Sequence, residues 1–207
     1  MLQILTPATT QNLTTLEVAR VELGTAGTDE QMTALIARAS AACIRFCNRP
    51  RGFGRETLRQ TERVRPWFSA YPTETASGIA LANELDPEIA SVLDGDTTLA
   101  ADEYYLADGV LHRVAAGARY GWCWGGPVVI EYAAGFVLPD TLPPDIEQAC
   151  LSTMKAWHFG RGRDPYIRSQ SAEGVGSVTY ATGPAESGGA LPAEAGALLA
   201  PWRRWFS

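Results

Sequence analysis

The sequence predicts an α+β protein, with a mainly helical body, a small antiparallel β element and an extended C-terminal arm. Three features predict it. Apolar residues recur at three- and four-residue steps over 28–48 and again over 143–160, the period of a helix with one buried face. Between them, short apolar runs are broken by Asp94-Gly95 and Asp108-Gly109, the residue pair that best tolerates the positive φ of tight hairpins. Beyond residue 160 the chain turns to Gly, Ser and Pro, a composition that buries little by itself. With 207 residues, 46% of them hydrophobic, one compact domain with extensions is expected. Its core spans 1–160, with helices at 15–23, 28–48 and 143–160 and a β-rich insertion at about 55–132; 161–207 is expected to be a flexible arm that docks on a partner.

Taken in order, the elements have the following grounds. After an extended start, Thr14-Thr15-Leu16-Glu17 has the form of a capping box, with Thr14 as the cap of a short helix that stops near Gly24. Thr28-Asp29-Glu30-Gln31 repeats the signal, and Met32, Leu35, Ile36, Ala39, Cys43, Phe46 and Cys47 then trace one face until Pro50 and Gly52. Over 55–65, Thr57, Arg59, Thr61 and Arg63 alternate with Leu58, Gln60, Glu62 and Val64; this weak apolar face predicts a polar edge strand. Short strands follow at 79–81, 89–93 and 104–106, the last folding back on Val110 to Arg113 through Asp108-Gly109. Pro127 to Tyr132 has the highest β-branched content and is expected to be the central strand. Pro143-Pro144-Asp145 opens the second long helix, which Gly160 and Gly162 end. A short strand at 177–181 and a last helix from Pro192 to Leu199 precede Pro201 to Phe206.

Charge and composition exclude several functions. A net charge of -6 is wrong for a protein that grips nucleic acid by neutralising phosphates. No run approaches the roughly 18 apolar residues of a membrane helix, and the first residues have no basic region ahead of an apolar stretch, so a soluble chain without a targeting signal is expected. The four cysteines lack any CxxC spacing; Cys43 and Cys47 share a helix face, where core packing outweighs metal binding because partner histidines are missing. His112 and His158, the usual general bases, have no nucleophile-elbow or metalloprotease spacing around them. No catalytic, cofactor or metal site is expected. Asp94/Asp96 and Asp102/Glu103 are assigned to solvent.

Two features point to interfaces. Seven arginines between Arg45 and Arg65 face only Glu56 and Glu62, whereas Pro66 to Leu111 holds nine acids and no Lys or Arg. Such opposed stretches suit head-to-tail pairing of neighbouring copies, with Arg55, Arg59 and Arg63 as the subunit-interface residues. At the other end, Trp202, Arg203, Arg204, Trp205 and Phe206 concentrate the residue types that dominate binding hot spots.

The order of these parts resembles the head-tail connector, or neck adaptor, proteins of tailed phages and of phage-derived gene transfer agents. The resemblance runs over most of the chain. It is carried by Leu13 to Ala19, the Thr28 to Pro50 helix, Asp102-Glu103-Tyr104-Tyr105-Leu106, Val129 to Phe136, Leu142 to Ala149, and Gly174 to Val178 before Leu191-Pro192. It implies a ring matched to the twelve-fold symmetry of a portal, a channel through which DNA passes without sequence-specific binding, a C-terminal segment that orders against the portal, and a place in the neck of a virion or virion-like particle. On this reading 202–206 dock on the portal, and a stopper or tail protein lies downstream. The alternatives are another neck or tail component, such as a stopper or tail terminator, and a small enzyme using His158 with Asp164 or a Cys43/Cys47 metal centre.

Overall fold

In the computed structural model, which describes residues 1–24, 27–63, 78–114, 124–160, 169–172, 176–179 and 191–204, the chain divides into two compact units. One comprises residues 1–9 and 54–137, the other residues 10–53 and 138–207.

The first unit is built of strands. β1 (Leu2–Thr6), β2 (Glu56–Arg63), β4 (Glu88–Asp94), β5 (Thr97–Thr98) and β8 (Pro127–Ala134) form an antiparallel sheet in the order β1-β2-β8-β4-β5. A second sheet, β3 (Ile79–Ala80), β6 (Tyr104–Ala107) and β7 (Val110–Arg113), has the order β3-β7-β6. Val128, Ile130, Tyr132 and Ala134 are buried alternate residues of β8, and they share one core with Leu58, Val92, Leu81 and Leu111. β8 is the central strand, as its β-branched run predicts. The Asp108-Gly109 turn forms, Asp108 (φ 50°) and Gly109 (φ 74°) joining β6 to β7, whereas Asp94 is the last paired residue of β4 and Gly95 (φ 62°) with Asp96 makes the turn into β5.

The expectation of a mainly helical body with a small β element is therefore corrected. Among the described residues there are ten strands and four α-helices, and the β unit has its own core. The error has a physical source: apart from β8, the strands of this unit each carry at most two apolar residues in the shared core, too few to read as core singly, but two sheets pool them. β2 shows it most clearly. It is an interior strand flanked by β1 and β8, so it is not an edge. Its inward residues are Glu56, Leu58 and Gln60, and the two polar ones are buried because they hydrogen-bond the segment that follows β3. Gln60 Oε1 accepts from Ala82 N at 2.8 Å and from Tyr132 Oη at 3.1 Å, while its Nε2 donates to Ala80 O at 2.9 Å. Asn83 Nδ2 donates to Glu56 Oε1 at 3.3 Å. A buried polar network of this kind is tolerated only when its members are satisfied.

Asp94 is likewise buried, not solvated. Its carboxylate accepts from Gly125 N at 2.8 Å and Gly126 N at 2.9 Å and pairs with Arg113, whose guanidinium pKa burial lowers.

The second unit is helical. α1 (Leu16–Leu23), α2 (Asp29–Phe46), α3 (Pro144–Phe159) and α4 (Ala193–Leu199) pack around Leu23, Leu35, Ile36, Ala39, Cys43, Ile146, Ala149, Met154 and Leu199. The capping box of α2 forms in both directions, Gln31 N donating to Thr28 Oγ1 and Thr28 N to Gln31 Oε1. For α1 the cap is Thr15, one residue later than expected. Thr14 instead donates to Glu147 Oε1 at 2.9 Å, tying the start of α1 to α3. β9 (Ser169–Ala172) and β10 (Gly176–Thr179) form a separate antiparallel pair, so the strand read at 177–181 has a partner that composition did not indicate.

Candidate functional site

The C-terminal end of α2 collects most of the residues singled out for binding in the helical unit. α2 stops because Asn48 takes a left-handed conformation (φ 52°) and Pro50 follows, and Gly52 (φ 74°) completes the reversal. The left-handed φ favours glycine at position 52, and a side chain there would also push aside the amide end of Gln11. Gln11 Nε2 in turn donates to Arg51 O at 3.0 Å and fixes the turn.

The end of the chain docks on this turn. After α4 a short 3-10 turn, Ala200–Trp202, brings the backbone alongside α2. Arg204 N donates to Cys47 O at 2.9 Å, Asn48 Nδ2 to Arg204 O at 3.2 Å and Arg49 Nε to Trp202 O at 2.9 Å. The Arg203 guanidinium lies 5.5 Å from the centre of the Phe46 ring, a cation–π distance. Trp202 and Arg204 are half-buried and Arg203 is exposed. Three of the five residues assigned to docking thus have their backbone held by their own helical unit; Trp205 and Phe206 lie outside the described residues.

Arg55, just before β2, and Arg59 and Arg63 within it are placed differently. Arg55 pairs with Glu88 at 2.5 Å and Asp86 at 3.6 Å and donates to Gly135 O. Arg59 pairs with Glu131 at 2.5 Å, directly opposite on β8. Arg63 is the exposed last residue of β2. The basic and acidic stretches therefore meet partly within one chain, at Arg55.

Beside the docked segment, on the same turn, lies an open groove of about 500 Å³ lined by Gln11, Ile44, Arg45, Arg49, Pro50 and Arg51 among others. Sequence reasoning missed it, because Arg49 and Arg51 lie past the end of α2 at Phe46 and join Arg45 only through the chain reversal at Asn48 and Gly52.

The chemistry-bearing residues have structural surroundings. Cys43, Cys47 and Cys150 are buried in the helical unit. The hydrogen bond with Cys150 and burial hold the Cys43 thiol protonated, and burial pushes Cys47 up to about 11 against the pull of Arg49 and Arg203. His112 stacks on Tyr105 with ring centres 4.9 Å apart, and His158 meets Phe159 edge-on. Asp164, named with His158, lies outside the described residues. Among the described residues no three metal-binding side chains cluster, and no helix is long and apolar enough to cross a membrane.

No family model and no curated protein matches the sequence. Among solved structures, the chain is similar to a chain in the virion of a native gene transfer agent particle, at 18% identity and a TM-score of 0.54, covering 100% of this chain and 97% of that one. It is similar, over the same shares of both chains, to chains in the neck of an empty gene transfer agent particle computed with C6 symmetry (19% identity, TM-score 0.53) and in the neck of a native one computed with C12 symmetry (18%, 0.53). The fold is that of chains in gene transfer agent particles, two of them neck structures, in line with the family that the sequence resembles, although not with the mostly helical body that the resemblance implied.

Proposed function

We propose that this chain is a structural component of the neck of a phage-type particle, an adaptor that forms a ring between the portal and the downstream stopper or tail protein and surrounds the DNA channel. The observation that carries this reading is the likeness in fold to neck chains along the whole of both molecules, helical unit and β unit together. The C6 and C12 symmetry of those necks supports an oligomeric ring, on this reading a dodecamer in the particle. An acidic chain suits a conduit, because a strongly basic lumen would hold DNA where it must slide. The work of such a protein lies in its interfaces and needs no catalytic centre, cofactor or membrane.

Trp202, Arg203, Arg204, Trp205 and Phe206 are the portal-docking residues on this reading. Arg55, Arg59 and Arg63 would serve at subunit contacts, with Arg63, at the exposed end of β2, the one best placed. The division into a core of 1–160 and an arm of 161–207 belongs to the same proposal.

Electron microscopy of the purified chain mixed with its cognate portal tests the reading. The expected result is a ring layer bound beneath the portal. A chain that ignores the portal but adds to complexes already carrying another adaptor would overturn it in favour of a stopper, and one that joins only tail tubes would indicate a tail terminator.

A further inference from the structure

We propose that the groove at the C-terminal end of α2 receives the acidic β4–β5 hairpin and the adjoining turn before β6 of a neighbouring copy, and that this contact closes the ring head to tail. The inference rests on the ring reading above and adds which two surfaces meet. The groove is basic and preformed. Arg45, Arg49 and Arg51 are three of its nine lining residues, and none of the nine is acidic. Arg45 is exposed, and Ala41, Ile44 and Pro50 supply an apolar floor. The Asn48 and Gly52 conformations and the Gln11 hydrogen bond set the turn in place, so little order has to be gained on binding.

The complementary surface is in the β unit of every copy. Residues 79–111 carry no Lys or Arg. Of their acids, Asp94 is engaged by Arg113 and Glu88 by Arg55, but Asp96 at the tip of the β4–β5 hairpin and Asp102 just before β6 are exposed at one end of the sheets, that of the Asp94–Arg113 pair. Arg55 and Arg59 turn toward acids of their own chain, whereas the α2 groove is a basic surface with room for an acidic occupant, with Arg45 exposed at its edge and Arg49 also donating to Trp202 O. Two different patches of opposite sign on each copy are what a heterologous contact requires, and such a contact makes a ring when the rotation closes.

A charge-swap series on portal complexes, read by electron microscopy and mass measurement, tests the contact. R45E/R51E and D96K/D102K are each expected to lower ring occupancy at least tenfold while keeping the wild-type circular dichroism, and the quadruple variant to restore rings. R45E with D102K provides the same swap at single positions should Arg51 prove necessary for folding. Rings from both double variants at the wild-type level would overturn the groove contact and leave the adaptor reading standing. A folded quadruple variant without rings would also overturn it, pointing to another occupant such as the phosphate backbone of DNA. Failure of the wild-type chain to form any ring would sink both.

Discussion

At the scale of single residues, the polar groups buried in the β unit matter more than their number suggests. Tyr132 Oη donates to Gln60 Oε1 and accepts from Asn83 N at 3.2 Å. Tyr132→Phe leaves that buried amide without its acceptor, and urea unfolding is expected to show a loss of about 1–3 kcal/mol. A different residue sets an alkaline limit. Cys47 has its pKa raised from 9.0 to about 11, mainly by burial. A group whose folded pKa lies above its unfolded value stabilises fully below the unfolded pKa and loses that contribution as pH rises through the folded one. Stability is therefore expected to fall between pH 9 and 11 by an amount that Cys47→Ala removes, as seen by comparing chemical unfolding of the two proteins across that range.

At the scale of elements, the helices and hairpins follow local signals, whereas the sheet order does not. The α2 capping box, the proline-led start of α3 and the Asp108-Gly109 hairpin are all written within a few residues of where they act. β2 is the counterexample. Its inward Glu56 and Gln60 look like surface residues until Asn83, Ala82 and Tyr132, more than twenty positions away, arrive to pair with them. α4 depends on packing as well, because seven residues are too few for a stable isolated helix. It holds through Ala195 and Leu199, both fully buried, and Leu199→Ala is expected to cost about 2–5 kcal/mol, measurable as a lowered thermal midpoint. The same substitution is expected to loosen 200–204, which follow α4 onto the end of α2.

At the scale of the whole molecule, the docked chain end changes how the portal proposal is tested. Removing 201–207 would also strip the backbone hydrogen bonds that Trp202 and Arg204 make with α2, confusing a portal defect with a folding one. Trp205→Ala with Phe206→Ala leaves those bonds in place. That double variant is expected to keep the thermal midpoint of the wild-type protein and to lower co-assembly with the portal at least tenfold in pull-down, since aromatic anchors at hot spots are worth 2 kcal/mol or more, roughly.

What the sequence determined by itself is whatever depends on neighbours along the chain: the four helices and their approximate ends, the Asp108-Gly109 turn, the strength of β8, and the order of parts that resembles neck adaptors. Only the tertiary structure decided the rest. The two-sheet core, the interior place of β2, the burial of Asp94 and the in-chain pairing of Arg55 and Arg59 all arise between residues far apart in sequence. The physical reason is that a charge or amide reads as solvent-facing from its own segment, and only the arrival of a partner from another strand makes its burial favourable.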